Sequence, residues 1–288
     1  MRLRLFLKAS FANACDVIGL IAGSKNLPFM FAEEARRHGE RIAAVAFEGE
    51  TDPALARYVD EIAWLKVGQL GKMIDALKSK QVERCVMLGQ IAPKNLFDLR
   101  PDLRAMALLF TLKERNAHSI FGAIATELAK DGITLVSAEP WLRRWMPKSG
   151  YRTGPRLSGA QAQDLDYGWK IAKEVSRLEI GQSVVVKSGA VLAVEAFEGT
   201  DACFERGGKL AGAKGGAVAV KVAKPDHDMR FDIPCIGPRT IEVCAGHGVE
   251  VLGFEAGKTL LIDQEKVEQA AKDARISLVA CDGLPAPG

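Results

Sequence analysis

Between Val191 and Ile241 the chain gathers side chains able to handle phosphate. Glu195 and Glu198 stand at one end, Asp201 follows in Gly199-Thr200-Asp201, and Asp226, Asp228 and Asp232 crowd around Arg230. Lys221 and Lys224 lie upstream of that last group, on a run, AVAVKVAKP, that alternates as a strand does. Carboxylate oxygens are the ligands a magnesium ion prefers, and fixed cations hold the phosphate oxygens whose charge such an ion neutralises. The composition suits metal-assisted phosphate chemistry. It suits a solvated acidic turn with surface ion pairs as well, and spacing alone does not separate the two.

Taken singly, these residues differ in what they imply. Asp232 lies between Phe231 and Ile233, so an apolar strand would aim its carboxylate one way, as a ligand is aimed; Asp226, at a Pro-led turn, would face water. Glu195, on the strand VLAVEAF, is either a ligand or the cross-strand partner of Lys221. Asp201 is a ligand or a turn or helix cap. Lys224 and Arg230 are phosphate holders or salt-bridge partners of their neighbours. His118 and His227 stand alone, and no cysteine has a histidine in a nucleophile's arrangement.

The elements that must position these groups fall into two halves. From Asp16 onward strands and helices alternate: VIGLIAG (17–23), a helix from Leu27 to His38, RIAAVAF (41–47), a short strand in 60–67, a helix over 70–80, RCVMLGQI (84–91), one long helical region over 102–130, and ITLVSA (133–138). Strand–helix alternation with Gly-ended turns predicts a parallel sheet wrapped by helices. Ligands of such sheets sit beyond the strand carboxyl ends, here near Gly23–Lys25, Phe47–Thr51, Val67–Leu70 and Gly89–Lys94. The turn Gly19 to Ser24 lacks the full dinucleotide fingerprint, which counts against a nicotinamide cofactor, while a Gly/Ser turn at a helix start suits an anion.

Residues 139–160, with Pro, Gly, Trp141, Trp145 and several Lys/Arg, read as an inter-domain connection. The two tryptophans either pack a short helix or form an amphipathic lip for an acylated or membrane-surface ligand. Beyond lies an amphipathic helix, 161–178, with Leu165, Trp169, Ile171, Ala172 and Val175 on its buried stripe. Short strands follow, SVVVKSGAVLAVEAF, AVAVKVA, TIEVCA, GVEVLGF and TLLID, and a closing helix at 264–276, so the second half reads as α+β with a mixed sheet.

The bulk properties agree with this. A chain of 288 residues, 26% charged and 48% hydrophobic, can bury two ordinary cores. A net charge of +3 without a basic run argues against nucleic-acid binding. The six cysteines contain no C-x-x-C and read as reduced thiols of a cytoplasmic protein. Residues 1–15 loosely imitate a signal peptide, but Lys8 interrupts the apolar run, so they read as an unstructured lead-in, as does the tail LPAPG. No run reaches the ~20 apolar residues of a membrane span.

In this order, the motifs resemble a family. IGQSVVVKSGAVLAVEAFEGTDA, KVAKPDHDMRFDIPCIGPRTI and GVEVLGFEAGKTLLID are similar to the C-terminal domain of the UDP-2,3-diacylglucosamine pyrophosphatases of lipid A biosynthesis. GLIAGSKNLPFMFAEEARRHG, VGQLGKMIDALKSKQVERCVMLGQI and FDLRPDL are similar to its N-terminal domain, so the resemblance runs through nearly the whole chain from residue 17. It implies a magnesium-dependent hydrolase: water attacks phosphorus, UMP leaves, and 2,3-diacylglucosamine 1-phosphate (lipid X) is the other product. It also implies two domains with the lipid bound between them, and a homodimer. The chain departs from the family at Asn116-Ala117-His118-Ser119, where many members carry an Asp-Asp pair, and at His227, where Gln is frequent.

The expectations are therefore specific. A Rossmann-like parallel-sheet domain spans 16–140, a linker 141–160 and an α+β domain 161–283. Asp232, Asp228 and Arg230 are the catalytic candidates; Gly23, Ser24, Gly89, Lys94, Glu195, Gly199, Thr200, Asp201 and Lys224 are the substrate contacts; Asp232, Asp201 and Glu195 are the ligands of Mg2+. The partner is an acylated UDP-sugar, handled in the cytoplasm with room for peripheral contact at the inner membrane. A non-enzymatic nucleotide- or lipid-binding protein of the same fold, or a nicotinamide-dependent oxidoreductase, would be the alternatives.

Overall fold

The computed structural model describes residues 17–91, 101–112, 117–224, 228–231 and 233–283, with backbone alone at 117 and 118. The chain divides into two compact units, Met1–Trp141 and Leu142–Gly288.

In the first unit β1 (Val17–Ala22), α1 (Leu27–Arg37), β2 (Arg41–Phe47), β3 (Glu61–Leu65), α2 (Leu70–Ser79), β4 (Arg84–Leu88), α3 (Leu103–Thr111), α4 (Ala117–Lys130), β5 (Thr134–Leu135) and the short α5 (Glu139–Leu142) follow in order. The strands form a wholly parallel sheet in the order β3-β2-β1-β4-β5. Continuous apolar strands such as VIGLIA and RIAAVAF are what a sheet covered on both faces needs, and Ile18, Leu20, Ile42, Val45, Cys85 and Val86 are almost fully buried. Each such side chain contributes about 1.5–3 kcal/mol on leaving water. The strand order reverses between β1 and β4, the place where an open α/β sheet leaves a crevice.

The second unit holds β6 (Arg152–Thr153), α6 (Gly159–Arg177), β7 (Ser183–Lys187), β8 (Ala190–Val194), α7 (Thr200–Leu210), β9 (Ala217–Lys221), β10 (Cys235–Ile236), α8 (Pro238–Gly246), β11 (Val249–Glu255), β12 (Leu260–Leu261), α9 (Gln264–Asp273) and β13 (Ser277–Cys281). Its mixed sheet runs β6-β13-β11-β9-β7-β8, with β6 and β7 opposed to the rest. One face packs under α6, where Leu165, Trp169, Ala172 and Val175 meet Val184, Val218, Val220 and Val251. The other face packs under α7, α8 and α9 through Val185, Phe204, Ile241, Leu252, Val267 and Leu278. The α/β class with one parallel and one mixed sheet is the one the sequence predicts.

Three local readings give way to the structure. The expected helix over 102–130 is two helices, because Leu112 at the end of α3 turns to extended backbone. TIEVCA is helical as part of α8, although its β-branched residues suggest a strand: Gly237 and Pro238 start the helix, and Ile241, Val243 and Cys244 fall on its buried stripe. The segment after Gly199, read as a turn, opens α7, whose Gly207-Gly208 pair resembles a turn signal. Those glycines instead permit close packing: a Cβ at Gly207 would lie 2.5 Å from Cβ of Val185, and one at Gly208 would lie 2.1 Å from the His247 carbonyl. Within the segment read as a connection, Arg152–Thr153 pairs with β13 as a strand of the second unit. Trp141 is buried in the first unit, edge-on to Phe31 and bonded through Nε1 to Glu40 at 2.9 Å.

Candidate active site

The charged groups of the second unit collect at one edge of its sheet, where β8, β9 and β11 end and β7 begins. Glu195 directly follows β8 and is buried. Its carboxylate accepts from the Gln182 N–H at 3.3 Å and from the Thr200 hydroxyl at 3.1 Å, joining β7, β8 and the first turn of α7. Thr200 Oγ1 lies 3.3 Å from Ser183 Oγ, and Ser183 is the register partner of Lys221. Lys221 does not pair with Glu195. Its ammonium, on a buried side chain, donates to the Cys235 carbonyl at 2.9 Å and so ties β9 to β10.

The N-termini of α7 and α8 meet beside these groups. Gly199 caps α7 with φ +85, a left-handed conformation that favours glycine. Asp201 lies in the first turn of α7, where the helix dipole favours an anion, and its Oδ1 accepts from the Thr240 hydroxyl of α8 at 3.4 Å. Of the residues assigned to this site from the sequence, Glu195, Gly199, Thr200 and Asp201 are thus brought together.

At the same edge stands a residue the sequence reading passed over. Glu255 ends β11 and is almost fully buried. It accepts from Lys173 Nζ and Lys258 Nζ, both at 3.0 Å, and from the Ala223 N–H at 2.9 Å. Burial pushes its carboxyl pKa up, but the Lys173, Lys258 and Ala223 hydrogen bonds outweigh that and hold it below the ordinary value. Lys173 also donates to the Ala223 carbonyl at 3.2 Å, so the pair holds both backbone polar groups of Ala223, the residue before Lys224. Lys224 itself makes no ion pair with a described residue.

Asp228 and Arg230 form a local, largely exposed fork, with Nε–Oδ1 at 2.9 Å and Nη2–Oδ2 at 2.7 Å, while the Arg230 guanidinium lies 5.0 Å from the Phe231 ring centre. Asp226, His227 and Asp232 lie outside the described residues. A divalent ion takes several oxygen ligands at once. Among the described residues no three His, Cys, Asp or Glu side chains come together to hold a metal. Glu195 accepts one hydrogen bond on each carboxylate oxygen and Asp201 one on Oδ1, so both described members of the expected set keep lone pairs to offer. The described residues alone do not make up a ligand set.

In the first unit the turns after β1 and β4 close on each other. Gly23 N–H donates to the Leu88 carbonyl at 2.8 Å, Ser24 N–H to Gln90 at 2.7 Å, and Gln90 N–H back to Ser24 at 3.2 Å. The glycines allow this approach: a Cβ at Gly23 would lie 2.6 Å from the Gln90 carbonyl, and one at Gly89 (φ +94) would lie 2.5 Å from that of Ser24. The N–H groups expected to meet an anion are therefore engaged within the fold. Lys94 lies outside the described residues, as does the side chain of His118. Burial pushes the Cys85 and Cys203 thiols up to about 12 and raises Cys244 further, which disfavours the thiolate at these three positions.

Fold and site together define a class: a two-unit α/β protein with paired carboxylates and lysines at the edge of its second sheet. Residues 17–145 match the LpxI N-terminal domain and residues 148–279 the LpxI C-terminal domain. The chain belongs to the LpxI family. It is 30% identical over 279 residues to the UDP-2,3-diacylglucosamine pyrophosphatase LpxI of Caulobacter vibrioides, covering 94% of this chain and 99% of that one. Among solved structures, biotin carboxylase from Campylobacter jejuni overlaps with a TM-score of 0.27 and 14% identity, over 68% of this chain and 42% of that one. Phosphoribosylglycinamide synthetase from Anaerococcus prevotii gives 0.26 and 9%, over 64% and 39%. At that level the overlap defines neither fold nor function.

Proposed function

We propose that this protein is an enzyme that hydrolyses the pyrophosphate bond of UDP-2,3-diacylglucosamine in lipid A synthesis, releasing UMP and 2,3-diacylglucosamine 1-phosphate. The observation that carries the reading is the match of both units to LpxI domains, with a relative of that activity aligned along nearly its whole length. The charged edge of the second sheet supports it. A pyrophosphate repels an attacking water through its own negative charge, so the site must hold cations and helix N-termini against the phosphate oxygens and a carboxylate against the water. Lys224 and the N-termini of α7 and α8 suit the first task; Asp232, in the motif that follows Lys224, is assigned the second.

Magnesium belongs to the proposal on the acidic composition of 195–232, with Asp201 and Asp232 as the carboxylates toward it; when bound, it supplies charge neutralisation at the phosphate oxygens. We place the enzyme in the cytoplasm as a homodimer, meeting its lipid at the inner-membrane surface. No helix among the described residues is long and apolar enough to cross a membrane.

The test is UMP release from the lipid nucleotide by the purified protein. Turnover stops in EDTA and returns with magnesium. Full turnover in EDTA, after removal of tightly held metal, contradicts the metal; no UMP under any condition contradicts the activity.

A further inference from the structure

The surface of the second unit carries a basic strap that the chemistry above does not use. Between Pro140 and Gln163 stand Arg143, Arg144, Lys148, Arg152 and Arg156, with no acidic residue among them. The whole chain has a net charge of +3, so everything outside this stretch is net negative. All five cations are exposed and belong to the second unit. The fold fixes their spacing. The carbonyls of Pro147, Tyr151 and Pro155 accept from the Gly257 N–H at 2.8 Å, the Ala280 N–H at 3.0 Å and the Ser277 hydroxyl at 2.6 Å. Each anchor is followed at once by a cation, in turn Lys148, Arg152 and Arg156. Met146 is buried and the Tyr151 ring packs 6.1 Å from that of Phe254, so apolar groups hold the strap down while the cations stay in water.

The charge of the strap is not balanced within the fold. Lys148, Arg152 and Arg156 make no ion pair with a described residue. Glu268, the carboxylate bonded to the Tyr151 hydroxyl at 2.8 Å, also accepts from the Gln264 side chain at 2.7 Å. One charge on β6 would suffice to keep that short edge strand from pairing with another sheet. Five cations over fourteen residues, without a counter-charge, make a surface for an extended polyanion. Among them the half-buried Trp145 has the Arg144 guanidinium 4.8 Å from its ring centre, and an indole beside cations suits the headgroup layer of a bilayer. We propose that the strap docks the protein on a bilayer surface rich in anionic phospholipid, with its cations against the headgroup phosphates. This deepens the functional reading and rests on it for the acylated substrate that brings the enzyme to a membrane.

Sedimentation of the full chain with vesicles tests the assignment, beside turnover of the lipid nucleotide dispersed in detergent. The protein binds vesicles of phosphatidylglycerol and phosphatidylethanolamine at about 0.1 M salt, and about 0.5 M salt releases it. Vesicles of phosphatidylcholine alone do not hold it. Lys148→Gln, Arg152→Gln and Arg156→Gln each weaken vesicle binding by roughly fivefold, and the three together by roughly 10²-fold. Arg152→Lys and Arg156→Lys keep it. Lys209→Gln, which removes an exposed cation of α7 on the far side of the sheet, leaves it unchanged. Turnover in detergent is native in all of these variants. Native vesicle binding by the triple variant, or an equal loss in Lys209→Gln, overturns the strap and leaves the hydrolase reading standing. Strap-dependent binding to RNA without binding to anionic vesicles overturns it too. Strap-dependent vesicle binding by a native protein that releases no UMP in detergent supports the strap and contradicts the hydrolase reading.

Discussion

Glu255 shows how a buried charge can hold a loop. Glu255→Gln keeps the shape but leaves Lys173 and Lys258 facing a neutral amide, and loosens the Ala223 peptide next to Lys224. Turnover should fall roughly tenfold, with a loss of about 1–3 kcal/mol of stability by urea unfolding. Because the folded pKa of Glu255 is lowered, its stabilisation is complete above the unfolded carboxylate pKa and is lost as pH falls through the folded one. The native Tm should therefore drop on acidification by more than that of Glu255→Gln; parallel curves would remove the charge from the account. Asp232 carries the other prediction here. Asp232→Ala should lower turnover by roughly 10²-fold or more with substrate still bound, and Asp226→Ala by less than about tenfold. Equal behaviour of the two would move the water-orienting role to Glu195 or Asp201. The sequence exposes Glu195 and Asp201 because they cluster with Glu198 within seven positions, around Gly199-Thr200. Glu255 hides at the end of an apolar run, and its partner Lys173 is 82 positions away.

Helices α7 and α8 place the two N-termini at the site, and their approach depends on Gly208. Alanine there gains about 1 kcal/mol of helix propensity, but its Cβ would sit 2.1 Å from the His247 carbonyl, a backbone atom that cannot rotate away. The clash should dominate, with Gly208→Ala destabilising by about 1–3 kcal/mol in denaturant unfolding. A neutral or stabilising result would mean that the helices are not so closely packed. This packing also explains why α7 is hard to read. A Gly-Gly pair inside a helix signals a turn when local preference is the only guide, and the reason for it, contact with Val185 and His247, lies outside the segment. The strands and α6 are legible because their burial follows their own periodicity; α8 is misread because β-branched residues favour strands until Gly237-Pro238 is seen as a helix start.

Taken as a whole, the chain is two α/β units that together make one LpxI protein. The sheet order β3-β2-β1-β4-β5 puts the Gly23 and Gly89 turns at strand carboxyl ends, as the second sheet does for Glu195, Lys221 and Glu255. Alternating strands and helices make that much legible in the sequence, whereas the mutual closure of the Gly23 and Gly89 turns appears only once both strands are side by side. The central claim is that water breaks the phosphorus–oxygen bridge between the two phosphates. Turnover of UDP-2,3-diacylglucosamine in heavy-oxygen water, followed by mass analysis of both products, tests it most directly. The account predicts UMP and the diacylated sugar 1-phosphate in equal amounts, with one water oxygen in the phosphate of one product. UDP and a free diacylated sugar, or products without the water oxygen, would contradict it.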